Sequence, residues 1–329
     1  MNPKISVIIP VYNAGEQIKP CLDAILSQTL KEIELICVLD CPTDGTDRIV
    51  EAYAQKDNRI KVLKNKVNLN IGESRNKGIE AATGDYIGFS DHDDYMEPTM
   101  YEKLYNAITK ENSHVSMCER GDILTKYNKR VERLDDQKTY TVWTSLLKTI
   151  ANKQNLNTVY VWNKIYDRKF IQDNNIRFPD NKEFPAGEDI LFNFQVFKKL
   201  SETNKTEAVA YVREILYWHI FHGENTSSRV WKFDYICRYT NLIAEEISKN
   251  RLLSDSKEVK QNAYKGFIGT LTSGLYWANK DNGISAFKQA HNIKKYPYLR
   301  SILKDNWTLY NKELSISKNI IGLFIKLFG

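Results

Sequence analysis

Two hydrophobic periods take turns along the first 120 residues. An apolar β-branched run at residues 5–9 reads as a strand, and Ile18, Leu22, Ile25 and Leu26 follow at helical spacing. The alternation then repeats. Residues 33–39 predict a second strand, Ile49, Val50 and Tyr53 a second helix, residues 60–63 a third strand, and Ile79 with Ala82 a third helix closed by Gly84. Tyr86 to Ser90 is a fourth strand. Pro98 fits the first turn of a helix whose Tyr101, Leu104, Tyr105 and Ile108 share a face, and residues 115–118 return as a strand. Such alternation predicts an α/β fold, with a parallel sheet carrying helices on both faces and ligands beyond the carboxyl ends of its strands. After about residue 120 the alternation fades through polar stretches at 125–140 and 172–188, which reads as an elaboration built against the sheet. From Val230 the pattern turns helical, with Ile236, Tyr239, Ile243 and Ile247 on one face and no convincing strand beyond Tyr217. The expected division is 1–120, 121–228 and a helical C-terminal appendage over 229–329.

With 329 residues, 42% of them hydrophobic, the chain can bury a substantial core. Its five cysteines include no C-x-x-C pair, so neither a disulfide framework nor a zinc knuckle is suggested, and a reducing, cytoplasmic setting fits. No signal peptide opens the chain, and no apolar stretch is long enough to span a bilayer. The net charge of +6 is spread among mixed acids and bases, which argues against nucleic acid and fits anionic small molecules or a membrane surface. The apolar residues of 316–328, beside only Lys318 and Lys326, suit either a helix lying flat on the cytoplasmic face of a membrane or one docked on the body.

The chemistry gathers in four loops expected at strand carboxyl ends. The first is Pro10-Val11-Tyr12-Asn13, where the proline reads as ending the strand. The second runs from Asp40 to Thr46. The third, Asn70 to Asn76, places Arg75 in the first turns of a helix, suited to a phosphate. The fourth delivers Asp91, His92, Asp93 and Asp94 from a short apolar strand. Three carboxylates so close repel one another unless a cation compensates, and oxygen ligands favour Mg²⁺ or Mn²⁺.

These blocks, with Arg75-Asn76-Lys77-Gly78 and Gly84-Asp85-Tyr86-Ile87, resemble family 2 glycosyltransferases of the GT-A fold over roughly residues 4–120. Trp162-Asn163-Lys164-Ile165-Tyr166, Gly187-Glu188-Asp189 and the stretch from Tyr217 to Ser228 extend the likeness. The resemblance implies a GT-A-type, Rossmann-like sheet whose first half binds a nucleotide-diphosphate sugar and whose second half takes the acceptor. It implies that Asp91 and Asp93 serve a divalent metal on the diphosphate, Asp93 directly, with His222 as a further ligand and Pro10, Tyr12, Asn13, Asp40, Arg75 and His92 around the donor. Asp40 would meet the base, commonly uracil, although Leu39 stands where such families often carry a second acid. Asp189, with Glu188 beside it, matches the catalytic acidic position, and Trp162 and Lys164 would line the sugar or acceptor pocket. The implied activity is inverting transfer of a hexosyl or N-acetylhexosaminyl group from a nucleotide sugar, such as a UDP-sugar, to a glycan or lipid-linked glycan, as in surface polysaccharide synthesis. Two alternatives stay open: a nucleotidyltransferase, disfavoured by the lack of a glycine-rich basic loop after the first strand, and a non-catalytic nucleotide-sugar or glycan-binding module.

Overall fold

The β-branched runs near the start of the chain form one side of a single ten-stranded sheet. A computed structural model of the protein describes residues 2–135, 137–151, 157–180, 187–222, 233–282 and 291–305. β1 (Ile5–Val11) lies parallel to β2 (Ile33–Leu39) on one side and to β4 (Tyr86–Phe89) on the other, and β3 (Ile60–Lys64) continues the parallel array beyond β2. Pro10 does not end β1, which runs on to Val11. Ile8 accepts from Ser90 at the last rung toward β4, so the missing N–H of Pro10 falls on the same side, past the end of β4. The two strands part there, which opens a crevice at the carboxyl edge.

The rest of the sheet departs from the expectation of an elaboration laid against it. β6 (Val115–Leu124) crosses residue 120 and pairs in parallel with the long β10 (Ala208–Phe221). β9 (Lys164–Asp167) is inserted antiparallel between β4 and β6, so the second half of the chain completes the same sheet. β5 (Tyr95–Met96) and β8 (Tyr140–Thr141) pair with β10, and β7 (Lys129–Arg133) runs antiparallel to the end of β6. β9 escapes a sequence reading because its four residues begin with lysine and end with aspartate. β10 also continues four residues past Tyr217, where Trp218, His219, Ile220 and Phe221 mix polar and apolar character.

Helices α1 (Ile18–Leu26), α2 (Thr46–Ala54) and α4 (Met100–Glu111) pack on one face, against Ile5, Val7, Ile9 and Val11 of β1. The other face, including Ile8, Ile36 and Val38, is covered by α3 (Asn70–Ala81), α5 (Val142–Ala151) and α7 (Glu188–Thr203), with the short α6 (Arg168–Asp173) beside β9. Period-two alternation along β1 therefore feeds both cores. Beyond β10 the described residues are helical: α8 (Phe233–Lys249), α9 (Arg251–Ser254), α10 (Lys257–Asn282) and α11 (Pro297–Asp305). They join the core already formed by α5 and α7. Tyr239 of α8 packs so closely on Gly187 that a Cβ there would come within 2.8 Å of its ring, and Gly187 has φ +87°. Only glycine suits that position, and the appendage thereby fixes the turn that launches α7. Among the described residues no helix is long and apolar enough to cross a membrane. The tail at 316–328 and the stretch 223–228 lie outside the described residues.

Candidate active site

The loops after β1 and β2 are locked to each other and to α3. Asn13, in the left-handed region at φ 45°, accepts from the Thr43 N–H at 2.7 Å. Tyr12 beside it is exposed, whereas Pro10 is buried within β1. Asp40 is buried and accepts from Asn65 Nδ2 (2.7 Å), Leu69 N (2.7 Å) and Asn70 N (2.8 Å). Its carboxylate thus satisfies backbone donors at the start of α3 and orients that helix across the carboxyl edge.

The acidic loop after β4 divides its labour. Asp94 is buried, accepting from Tyr217 Oη and Ile220 N at 2.8 Å each, and so ties the loop to β10. Burial, then the charges of Asp91 and Asp93, push its carboxyl well above the usual range. The β10 end so positioned carries His222, whose Nε2 lies 2.7 Å from Asp93 Oδ2. His92 stands half-buried between Asp91 and Asp93. Among the described residues no group of three or more His, Cys, Asp or Glu side chains is arranged to hold a metal. One carboxylate oxygen and one imidazole nitrogen at Asp93 and His222 still fit a divalent ion that takes its remaining ligands from a diphosphate.

Arg75 sits where the two acidic groups meet. Expected to face a phosphate, it is instead 1% exposed, donating from Nη2 to Asp91 Oδ1 at 2.8 Å and from Nη1 to Asp189 Oδ1 at 2.6 Å. Glu188 Oε1 lies 3.5 Å from the same Nη1, and Phe178 lies against the guanidinium at 5.1 Å. Its buried Nε has no hydrogen-bond partner among the described residues. Glu188 and Asp189 open α7, where the helix dipole favours acids. Burial raises both carboxyls and Arg75 opposes it, with Glu188 pushed up to about 7 and Asp189 up as well.

The wall behind Asp189 holds two residues predicted for the acceptor pocket. Lys164 on β9 is fully buried, donating to the Asn157 and Tyr160 carbonyls and to Asn163 Oδ1, and burial lowers its ammonium to about 7. Trp162 is 3% exposed and stacked between Tyr160 (4.6 Å) and Tyr217 (4.3 Å). Both build the loop leading into β9 from beneath. That loop returns the Val161 N–H to the Asp189 carboxylate. Asn193, one turn along α7, secures it by donating to the Val159, Tyr160 and Asp189 carbonyls at 3.1 Å each while accepting from Tyr166 Oη at 2.8 Å. Sequence reading missed Asn193, Tyr160 and the Tyr217 hydroxyl. The i+4 spacing of a polar Asn193 from Asp189, set among Leu191, Phe192, Phe194, Val196 and Phe197, was the available signal.

A parallel sheet crossed by an antiparallel strand, with carboxylates and an embedded arginine gathered at its carboxyl edge, defines a GT-A-type fold. The chain belongs to glycosyltransferase family 2: the family model for "Glycosyl transferase family 2" matches residues 6–200. The cholesterol galactosyltransferase of Borreliella burgdorferi is 32% identical over 273 residues, covering 80% of this chain and 72% of that protein. EpsH of Bacillus subtilis is 32% identical over 230 residues, covering 70% of this chain but only 64% of EpsH, less than two thirds of its length. The structure of residues 1–349 of TarS from S. aureus superposes with a TM-score of 0.69 at 22% identity, over 98% of this chain and 90% of that one. The same TarS region has been crystallised with UDP-GlcNAc, where the TM-score is 0.66.

Proposed function

We propose that this protein is an inverting glycosyltransferase that moves a sugar from a UDP-sugar to a hydroxyl of a glycan or lipid-linked glycan, as in surface polysaccharide synthesis at the cytoplasmic face of a membrane. One observation carries the reading: Arg75 bridges the donor-side carboxylate Asp91 and the base candidate Asp189 across a single cleft. The donor lies over the loops holding Tyr12, Asn13 and Asp40, with its diphosphate toward Asp91, His92 and Asp93. Asp93 and His222 would hold a divalent metal, Mn²⁺ or Mg²⁺, and the ion when bound supplies Lewis-acid stabilisation of the departing nucleoside diphosphate.

The remaining chemistry belongs to the chain. Asp189 Oδ takes the proton of the acceptor hydroxyl as that oxygen attacks the anomeric carbon, and the nucleoside diphosphate leaves from the opposite face. Configuration inverts because one displacement occurs. Arg75 and the Val161 N–H favour the ionised form of Asp189 against its burial and aim it while the hydroxyl becomes acidic, with Glu188 beside it as the second carboxyl of the pair. The test is a panel of nucleotide sugars, with and without Mn²⁺, read by thermal shift and by nucleoside diphosphate release. A metal-dependent response to one UDP-sugar supports the proposal; silence across the panel refutes it.

A further inference from the structure

On the flank of the cleft away from the donor loops, β6 and β7 bring two arginines onto one carboxylate. Asp122, whose side chain is 3% exposed, accepts from Arg120 Nη1 through Oδ1 and from Arg133 Nε through Oδ2, both at 2.6 Å. Asp122 thus spreads one negative charge over two guanidiniums. Arg133 makes no further hydrogen bond among the described residues, and its side chain is 36% exposed. Lys129 lies four residues back on β7, on the same face by strand alternation, and is exposed. Glu132 points to the other face with Arg130, which covers the Trp218 ring at 4.9 Å.

This positive corner adjoins the reacting groups. Arg120 lies over the Tyr160 ring at 4.5 Å. The Tyr160 hydroxyl is raised mainly by burial, and Arg120, Asp122, Asp189 and Arg133 all act on it as charges. His219, paired with Asp122 across the β6–β10 ladder, likewise feels the charges of Asp91, Asp122, Asp93 and Arg120.

Resting on the glycosyltransferase reading above, we infer that Arg133, seated on Asp122 beside Arg120, binds an anionic group carried by the acceptor, a phosphate or a carboxylate, and so selects acidic acceptors over neutral ones. A guanidinium held at Nε keeps its outer nitrogens in the fork that matches two oxygens of such an anion. The experiment titrates inorganic phosphate, glucuronate and methyl glucoside into the full chain saturated with UDP and Mg²⁺, following amide or arginine side-chain NMR shifts in wild type, Arg133→Gln and Arg133→Lys. Saturation by UDP, checked by thermal shift, keeps the probes off the donor loops. At least one anion should bind wild type and lose tenfold or more of its affinity in Arg133→Gln, with smaller loss in Arg133→Lys and no change in UDP binding. Whichever anion binds more tightly distinguishes a phosphate-bearing acceptor from a uronic acid. Equal affinity in wild type and Arg133→Gln, or no preference over methyl glucoside, overturns the inference. Failure of UDP to bind would instead strike the donor reading, which the UDP control reads separately.

Discussion

Replacing Arg75 by glutamine removes the guanidinium that faces Asp91, Glu188 and Asp189 at 2.8, 3.5 and 2.6 Å. At an effective dielectric of about 20, opposite charges some 4 Å apart attract by about 4 kcal/mol, and burial of the guanidinium offsets much of the sum. Breaking such a buried ion pair from one side costs about 3–5 kcal/mol, and that is the expected loss of stability by urea denaturation at neutral pH. The variant should also titrate differently. Glu188 already stands near 7, above its ordinary 4.5, so the folded state binds more protons than the unfolded one and stability falls as pH rises through that window. Arg75 lowers both carboxyls of the pair, so its loss moves them further up and extends this fall to higher pH. For transfer the sign is the same: the base must be ionised, so the acid limb of the kcat/KM profile moves to higher pH. Activity at pH 7 should drop at least ~100-fold, a barrier increase of about 2.7 kcal/mol, with partial recovery toward pH 9. Arg75→Gln that melts with wild type and keeps its acid limb would refute the claim that Arg75 sets the charge state of the base.

The other consequences are narrower. Asp189→Asn should lower UDP-sugar turnover at least ~1,000-fold while leaving the donor-induced thermal shift within a degree of wild type; retained turnover would remove Asp189 from the role of base. Asp93→Ala should abolish the Mn²⁺-dependent part of the donor response, measured by calorimetric titration of UDP with and without the ion, and an unchanged metal dependence would move the ion elsewhere. Asn193→Ala leaves the loop 157–163 without its two carbonyl contacts, at Val159 and Tyr160, so kcat should fall roughly tenfold or more with little change in donor KM. An equal fall in donor binding would show that the loop serves the donor instead.

What the sequence makes legible follows from where each residue stands relative to solvent and strand period. β1, β2 and β4 are apolar runs buried on both faces, so they announce themselves, and the loops they launch can be placed from the residue pattern alone. The acidic loop is legible for the same reason, since three aspartates after Tyr86–Phe89 break the apolar run abruptly. The interior polar framework is not. Lys164, Glu119 and Asn157 are wholly buried, yet their residue types belong ordinarily to the surface. Partners supplied by the folded loop and by distant strands make them tolerable: the Asn157 carbonyl for Lys164, and the Asn157 amide with the Tyr211 hydroxyl for Glu119. Arg75 belongs with them. A basic residue in the first turns of a helix suggests an anion in solution, and nothing local reveals that two carboxylates from α7, more than a hundred positions away, will close over it. The same fact makes the site cooperative: the acids that repel one another in sequence are reconciled only when β4, α3 and α7 have docked, so the charge arrangement needed for transfer is assembled by the fold as a whole and is absent from any part of it.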